Sequence, residues 1–152
     1  MQRIPSGSVE TSKERVIMIC MHAALFIANG RKPFDDSLIA EAASFVRTVL
    51  AYKGLRCIEV SMQADHVHVL LQVPEQVDVY AALQTLRYWL QDFVERNSNQ
   101  PPFEWDSRYW LVSKSSADVE SVRKYFRRQQ VYHAQHSIEQ EWADFMDLEE
   151  IE

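Results

Sequence analysis

Glycine, proline and cysteine are all scarce in this chain. There are 3 Gly and 5 Pro in 152 residues, too few for long flexible or semi-rigid linkers. Cysteine is limited to Cys20 and Cys57, each inside an apolar, strand-like run. That excludes a disulfide framework and suits reduced core thiols in a cytoplasmic protein. Residues 16–28 are apolar, but the run is too short to span a membrane. Glu10 and Glu14 precede it, which is unlike the basic start of a signal peptide. Lys and Arg are missing from Glu139 to Glu152, where seven acids stand.

What is present supports one folded domain. Hydrophobic residues make up 47% and aromatic residues 11%, enough to offset the entropy of ordering a chain of this length. Residues 1–15 are polar and are expected to be a flexible N-terminus. Residues 16–147 form the domain, and 148–152 an acidic tail. The formal net charge is -6, yet without the terminal acids the remainder is close to neutral. Arg123, Lys124, Arg127 and Arg128 cluster within it. The cluster fits either a nucleic-acid partner or an ordinary solvated helix face.

Periodicity gives the element order. Val16–Ala28 reads as a central strand, broken at Asn29-Gly30. A helix capped by Asp35 or Asp36 runs to about Lys53, with Leu38, Ile39, Ala42, Val46, Val49 and Leu50 at helical spacing and Gly54 after its end. Leu55–Met62 and the stretch from His66 to Val73 alternate as two strands of a hairpin across Gln63-Ala64-Asp65. A second helix spans about Val77–Arg96, a fourth strand Tyr109–Val112, a third helix Asp118 to about His133, and a short fourth helix Ile138–Met146. The order β-α-β-β-α-β-α predicts an α+β, ferredoxin-like or RRM-like sandwich. It is expected to have a central antiparallel sheet, helices on one side and a further C-terminal helix.

The chemistry concentrates in Ala64-Asp65-His66-Val67-His68-Val69-Leu70-Leu71. Strand alternation puts His66 and His68 on one face and the valines on the other. Paired imidazoles on an apolar strand suit a metal ion, although two core histidines bonded to backbone fit the same pattern. Farther on, Tyr125 and Gln129 are four apart, so a continuous helix presents both on one face. An amide oxygen is a hard ligand that can complete a coordination shell for Mg or Mn. A phenol is a latent nucleophile toward a phosphodiester. Composition alone does not separate Tyr125 from Tyr88, Tyr109 or Tyr132.

Together, Asp65-His66-Val67-His68-Val69-Leu70-Leu71 and Val122-Arg123-Lys124-Tyr125-Phe126-Arg127-Arg128-Gln129 resemble the paired motifs of the small single-tyrosine HUH transposases. These are insertion-sequence transposases that act on single-stranded DNA, with REP-associated relatives. Phe103-Glu104-Trp105 and Tyr109-Trp110-Leu111-Val112-Ser113 resemble the segment before that family's catalytic helix, and His133, Ile138 and Glu141 fit its tail. The resemblance implies that His66, His68 and Gln129 bind a divalent metal, Mg or Mn. It also implies that Tyr125 attacks DNA to form a 5′-phosphotyrosine, leaving a free 3′-hydroxyl, and that the enzyme is a homodimer recognising hairpin DNA. Arg31, Lys32, Arg87, Lys114, Arg123, Lys124, Arg127 and Arg128 become the candidate DNA contacts. The chain departs from the family pattern in having Ala64, Tyr88-Trp89-Leu90 and Phe126-Arg127-Arg128 where other residues are usual. The alternatives are a domesticated or inactive nucleic-acid-binding protein and a metal hydrolase unrelated to DNA.

Overall fold

Side-chain alternation sorts the sheet into two chemically different faces. The computed structural model describes residues 19–151, with side chains through Asp147; the expected N-terminal segment 1–15 and Glu152 lie outside the described residues. The strands are β1 (Ile19–Ile27), β2 (Arg56–Gln63), β3 (His66–Val73) and β4 (Trp105–Lys114). They form one antiparallel sheet in the order β2-β3-β1-β4. The hairpin between β2 and β3 closes by pairing Gln63 with His66. Its loop is therefore the two residues Ala64-Asp65.

On one face lie Ala23, Leu25, Val67, Val69, Leu71 and Met62. They pack against α1 (Ile39–Tyr52) and α2 (Val79–Asn97) through Val46, Val49, Leu50, Leu83, Leu86 and Leu90. Burying these side chains is the main driving force for the domain, at about 1.5–3 kcal/mol for each large aliphatic. The Asp78 side chain caps α2 by accepting from the Ala81 N–H at 3.0 Å. Helix α1 starts later than its sequence suggests. Neither Asp35 nor Asp36 is its cap. The Asp35 backbone carbonyl instead accepts from the N–H groups of Leu38 and Ile39, so a turn precedes the first helical residue. Gly54, at φ 88, follows the helix in a conformation that favours glycine.

The opposite face carries His22, Ala24 and Phe26 from β1, His66, His68 and Leu70 from β3, and Trp110 from β4. After β4, a 3-10 turn at Ser116–Asp118 leads to α3 (Val119–Arg127), α4 (Gln129–His133) and α5 (Ile138–Ile151). Val122 and Phe126 of α3 pack on Leu70. Ile138, Trp142 and Phe145 of α5 pack on Ala24, Phe26 and Trp110. The Trp110 and Phe145 rings stack with centroids 3.7 Å apart. Helices therefore cover both faces, and the C-terminal group seals the histidine face.

Further boundaries correct the sequence reading. Strand β4 extends beyond Tyr109–Val112 at both ends, and α5 reaches Ile151 rather than Met146. The single helix expected over Asp118–His133 is interrupted at Arg128. There the Ser61 hydroxyl donates to the Phe126 carbonyl at 3.3 Å, and the Arg128 N–H is shared by the carbonyls of Lys124 and Tyr125. A side chain inserted into the hydrogen-bond ladder accounts for such a break. Both cysteines are unpaired, Cys20 buried and Cys57 half-buried. Among the described residues, no helix is long and apolar enough to cross a membrane.

Candidate active site

Strand β3 sets His66 and His68 side by side, both fully buried. Above them, α3 supplies Tyr125, α4 supplies Gln129 and His133, and α5 supplies Glu141. The structure brings together all four residues expected to carry the chemistry, although Tyr125 and Gln129 sit on two helices rather than one. The turn at Arg128 keeps both side chains aimed at the sheet.

The Glu141 carboxylate is the hub. Its Oε2 accepts from the Tyr125 hydroxyl and from Gln129 Nε2 at 2.7 Å, and it lies 3.1 Å from His68 Nε2. Its Oε1 lies 2.7 Å from His133 Nε2 and 3.4 Å from His66 Nε2. Because Gln129 turns its amide nitrogen to Glu141, its Oε1 faces His66 Nε2 at 2.8 Å. On the far side of the rings, His66 Nδ1 meets Asp65 Oδ1 at 2.9 Å and His68 Nδ1 meets His22 Nε2 at 2.9 Å. His68 Nε2 makes no hydrogen bond despite its proximity to Glu141, since the geometry is out of line. One donor atom each from His66, His68 and Glu141 falls within 4.8 Å of the others, a buried group that could hold a metal ion.

Burial opposes the charge on Glu141, but the hydrogen bond with His133 and the close imidazoles of His66 and His68 hold its carboxyl far below the usual carboxylate range. Burial also opposes charge on His66, yet Asp65 and Glu141 outweigh it and lift the imidazole to about 9. His68 goes the other way: burial takes it down to about 4 in spite of Glu141. His22 is pushed well below its ordinary value by burial and by His68. Burial and then the Glu141 charge raise the Tyr125 phenol, so its proton stays on oxygen, pointed at a carboxylate.

Two cavities flank this cluster. One of about 450 Å3 is lined by Lys32, Gln63, Asp65, Arg108, His133 and Glu139, among others. The other, about 390 Å3, is lined by His22, Lys114, Ser121, Tyr125, Glu141 and Asp144, among others. The basic candidates scatter. Lys32 and Lys114 reach these cavities. Arg31 donates to the carbonyls of Pro101 and Pro102 at 2.9 and 2.8 Å, a tie between loops. The Arg87 guanidinium lies over the Tyr109 ring at 4.8 Å. Arg123 pairs with Glu59 at 3.3 Å and Arg127 with Glu120 at 3.6 Å, while Lys124 and Arg128 are exposed.

Glu141 and His22 were not among the expected site residues, and each left a signal. Ile138, Glu141, Trp142 and Phe145 follow the i, i+3, i+4, i+7 pattern of a buried helix stripe. An acid within such a stripe is costly without partners. His22 interrupts the apolar run of β1 with the same parity as Ala24 and Phe26.

Comparison with solved structures gives the same fold. A proposed transposase from Deinococcus radiodurans R1 is 16% identical, with a TM-score of 0.61 over 76% of this chain and 93% of that one. A REP-associated tyrosine transposase bound to a REP hairpin is 12% identical, with a TM-score of 0.61 over 78% of this chain and 72% of that one. No curated protein matches the sequence. Residues 15–129, well over half of the chain, match the family described as IS200-like transposases. With His66, His68, Tyr125 and Gln129 all inside that span, the chain belongs to the IS200-like transposase family, whose members act on DNA.

Proposed function

We propose that this protein is a metal-dependent tyrosine nickase and strand transferase acting on single-stranded DNA, with hairpin DNA as the recognised form. The observation that carries the reading is the convergence of Tyr125, Gln129, His66 and His68 on one buried carboxylate. The donor set supports a divalent cation. His68 Nε2 is buried without a hydrogen bond, and His66 Nε2 faces the acceptor oxygen of Gln129. His66, His68, Gln129 and Glu141 would hold it. Two nitrogens and hard oxygens suit Mn, and Mg where more oxygens join. When bound, the cation supplies positive charge that polarises a phosphodiester.

The remaining chemistry belongs to the chain. Tyr125 Oη forms a bond to phosphorus as the bond from phosphorus to the 3′ oxygen breaks. The phenol proton leaves along its hydrogen bond to Glu141 and on to water, and the departing 3′ oxygen takes a proton from water to become a free 3′-hydroxyl. The product is a 5′-phosphotyrosine, whose reversal by another 3′-hydroxyl joins new strands. Glu141 suits the role of a relay rather than a final acceptor, because it already accepts a hydrogen bond from the phenol while its own carboxyl is held far below the usual range. Lys32 and Lys114, in the two flanking cavities, are placed to meet backbone phosphates. The REP hairpin held by the structural relative supports hairpin recognition. The outer edge of β4, an end strand of the sheet, supports a homodimer.

The test is covalent trapping on labelled single-stranded hairpin DNA with Mn. Wild type becomes attached to the label and Tyr125→Phe does not. Attachment of the variant would remove Tyr125 from the mechanism. The second reading, an inactive nucleic-acid-binding protein, draws on the raised phenol of Tyr125; it predicts hairpin binding with no adduct from either protein.

A further inference from the structure

Strand β2 does not alternate without interruption. Cys57 pairs with Leu71 and Glu59 with Leu70, which leaves Ile58 as an extra residue, a β-bulge. The bulge reverses the face that later side chains take. Before it, Cys57 packs with the large apolar core, and strict alternation would send Glu59, Ser61 and Gln63 there as well. After it, Val60 and Met62 join that core instead. Glu59 and Ser61 therefore fall on the histidine face, where Ser61 stands opposite His68 in the register. Ile58 itself packs with Leu70, Val122 and Phe126.

Both redirected side chains take hold of α3. Glu59 pairs with Arg123 at 3.3 Å in a partly buried contact. The buried Ser61 hydroxyl donates to the Phe126 carbonyl at 3.3 Å. Arg123 and Phe126 bracket Tyr125 in the chain. The hydroxyl bond is long, so it adds little to stability, and its effect is on direction. A continuous helix would give the Phe126 carbonyl to the Gln130 N–H. Here the helix stops at Arg127 and Gln129 opens a second one. The pair of strands that carries the imidazoles thus also fixes the last turn of the helix that carries the phenol.

We propose that Glu59 and Ser61, turned to this face by the β2 bulge, are positioning residues that hold Tyr125 in register with His66 and His68. The role rests on the tyrosine nickase reading above. It also gives Arg123 a task other than contact with DNA, since its partner is a carboxylate of the protein. Misplacing a reacting atom by about 1 Å can lower a rate by about 100-fold, so contacts that contribute little to stability can still govern the covalent step.

The experiment measures the single-turnover rate of adduct formation on labelled hairpin DNA with Mn. DNA is kept saturating, so that changes in affinity do not enter. Ser61→Ala is expected to slow the step about 10- to 100-fold, with melting temperature and hairpin affinity close to wild type. Ser61→Thr keeps the hydroxyl, suits a strand, and should recover most of the rate. Glu59→Arg and Arg123→Glu each set like charges together, and each is expected to slow the step about 10-fold. The double reversal restores opposite charges and should recover most of that loss. In Ser61→Ala, amide exchange at Gln130 should slow, because the freed Phe126 carbonyl lets the helical ladder continue.

A wild-type rate in folded Ser61→Ala, or a double reversal no faster than either single one, overturns the proposal. If Ser61→Ala does not fold, the exchange of charges between Glu59 and Arg123 carries the test. If wild type forms no adduct, the tyrosine reading fails and the catalytic role of Glu59 and Ser61 fails with it. Amide exchange at Gln130 then still decides whether Ser61 is what stops the helix, and an unchanged rate there would refute that as well.

Discussion

His66 shows most plainly how one side chain can belong to both stability and chemistry. In the metal-free protein its pKa is lifted to about 9 from an ordinary value of 6.5. A base raised on folding stabilises fully below its unfolded value and loses that contribution as pH rises through the folded one. Urea unfolding in EDTA is therefore expected to show stability falling between about pH 6.5 and 9, by up to about 3 kcal/mol. His66→Gln should flatten that slope. A flat wild-type profile would mean that the Asp65 and Glu141 contacts do not hold a charged imidazole. The same residue separates catalysis from binding: His66→Ala is expected to lose at least 100-fold in cleavage. Its hairpin affinity should stay within about threefold, because phosphate and base contacts carry binding. Parallel loss in a filter-binding assay and a nicking assay would contradict that division.

At the scale of elements, the sequence was legible where burial follows a simple period. Val67, Val69 and Leu71 on one side of β3, and His66 and His68 on the other, are as alternation requires. The break at Arg128 was not legible, because its cause lies on another strand: the Ser61 hydroxyl takes the Phe126 carbonyl. Nor was the use of Glu141, since only docking of α5 reveals that its stripe covers the histidines. The resemblance to a family supplied Tyr125 and Gln129; spacing alone left Tyr125 equal to other tyrosines. Docking of α5 depends on Trp110, Phe145 and Trp142. Phe145 is half-buried, so Phe145→Ala should cost about 2 kcal/mol, below the cost of a full core deletion. Hydrogen exchange should then quicken in α5 while α1 and α2, which pack on the other face, keep their protection. Uniform quickening throughout the chain would show that the two faces open together.

The whole molecule divides at the sheet. Helices α1 and α2 form one large apolar core with one face, whereas α3, α4 and α5 meet the other face through smaller apolar clusters and a polar centre. A charged network at that centre is a weak source of net stability while it lacks a cation, because buried charge must be compensated by its partners. The proposed ligands come from β3, α4 and α5, so binding a cation would join segments far apart in the chain. Anything that binds the folded form alone stabilises it by mass action, about 3 kcal/mol at a hundred times the dissociation constant. For a chain of this length each kcal/mol moves the melting temperature by about 2–4 °C. Saturating Mn is therefore expected to raise Tm by about 6–10 °C in wild type and by less than about 2 °C in His68→Ala. Tyr125→Phe should keep the full shift, since the phenol is not a ligand in this scheme. A wild-type Tm indifferent to Mn, at concentrations where DNA cleavage proceeds, would mean that the cation arrives with the DNA. His66, His68, Gln129 and Glu141 would then not form a site in the protein alone.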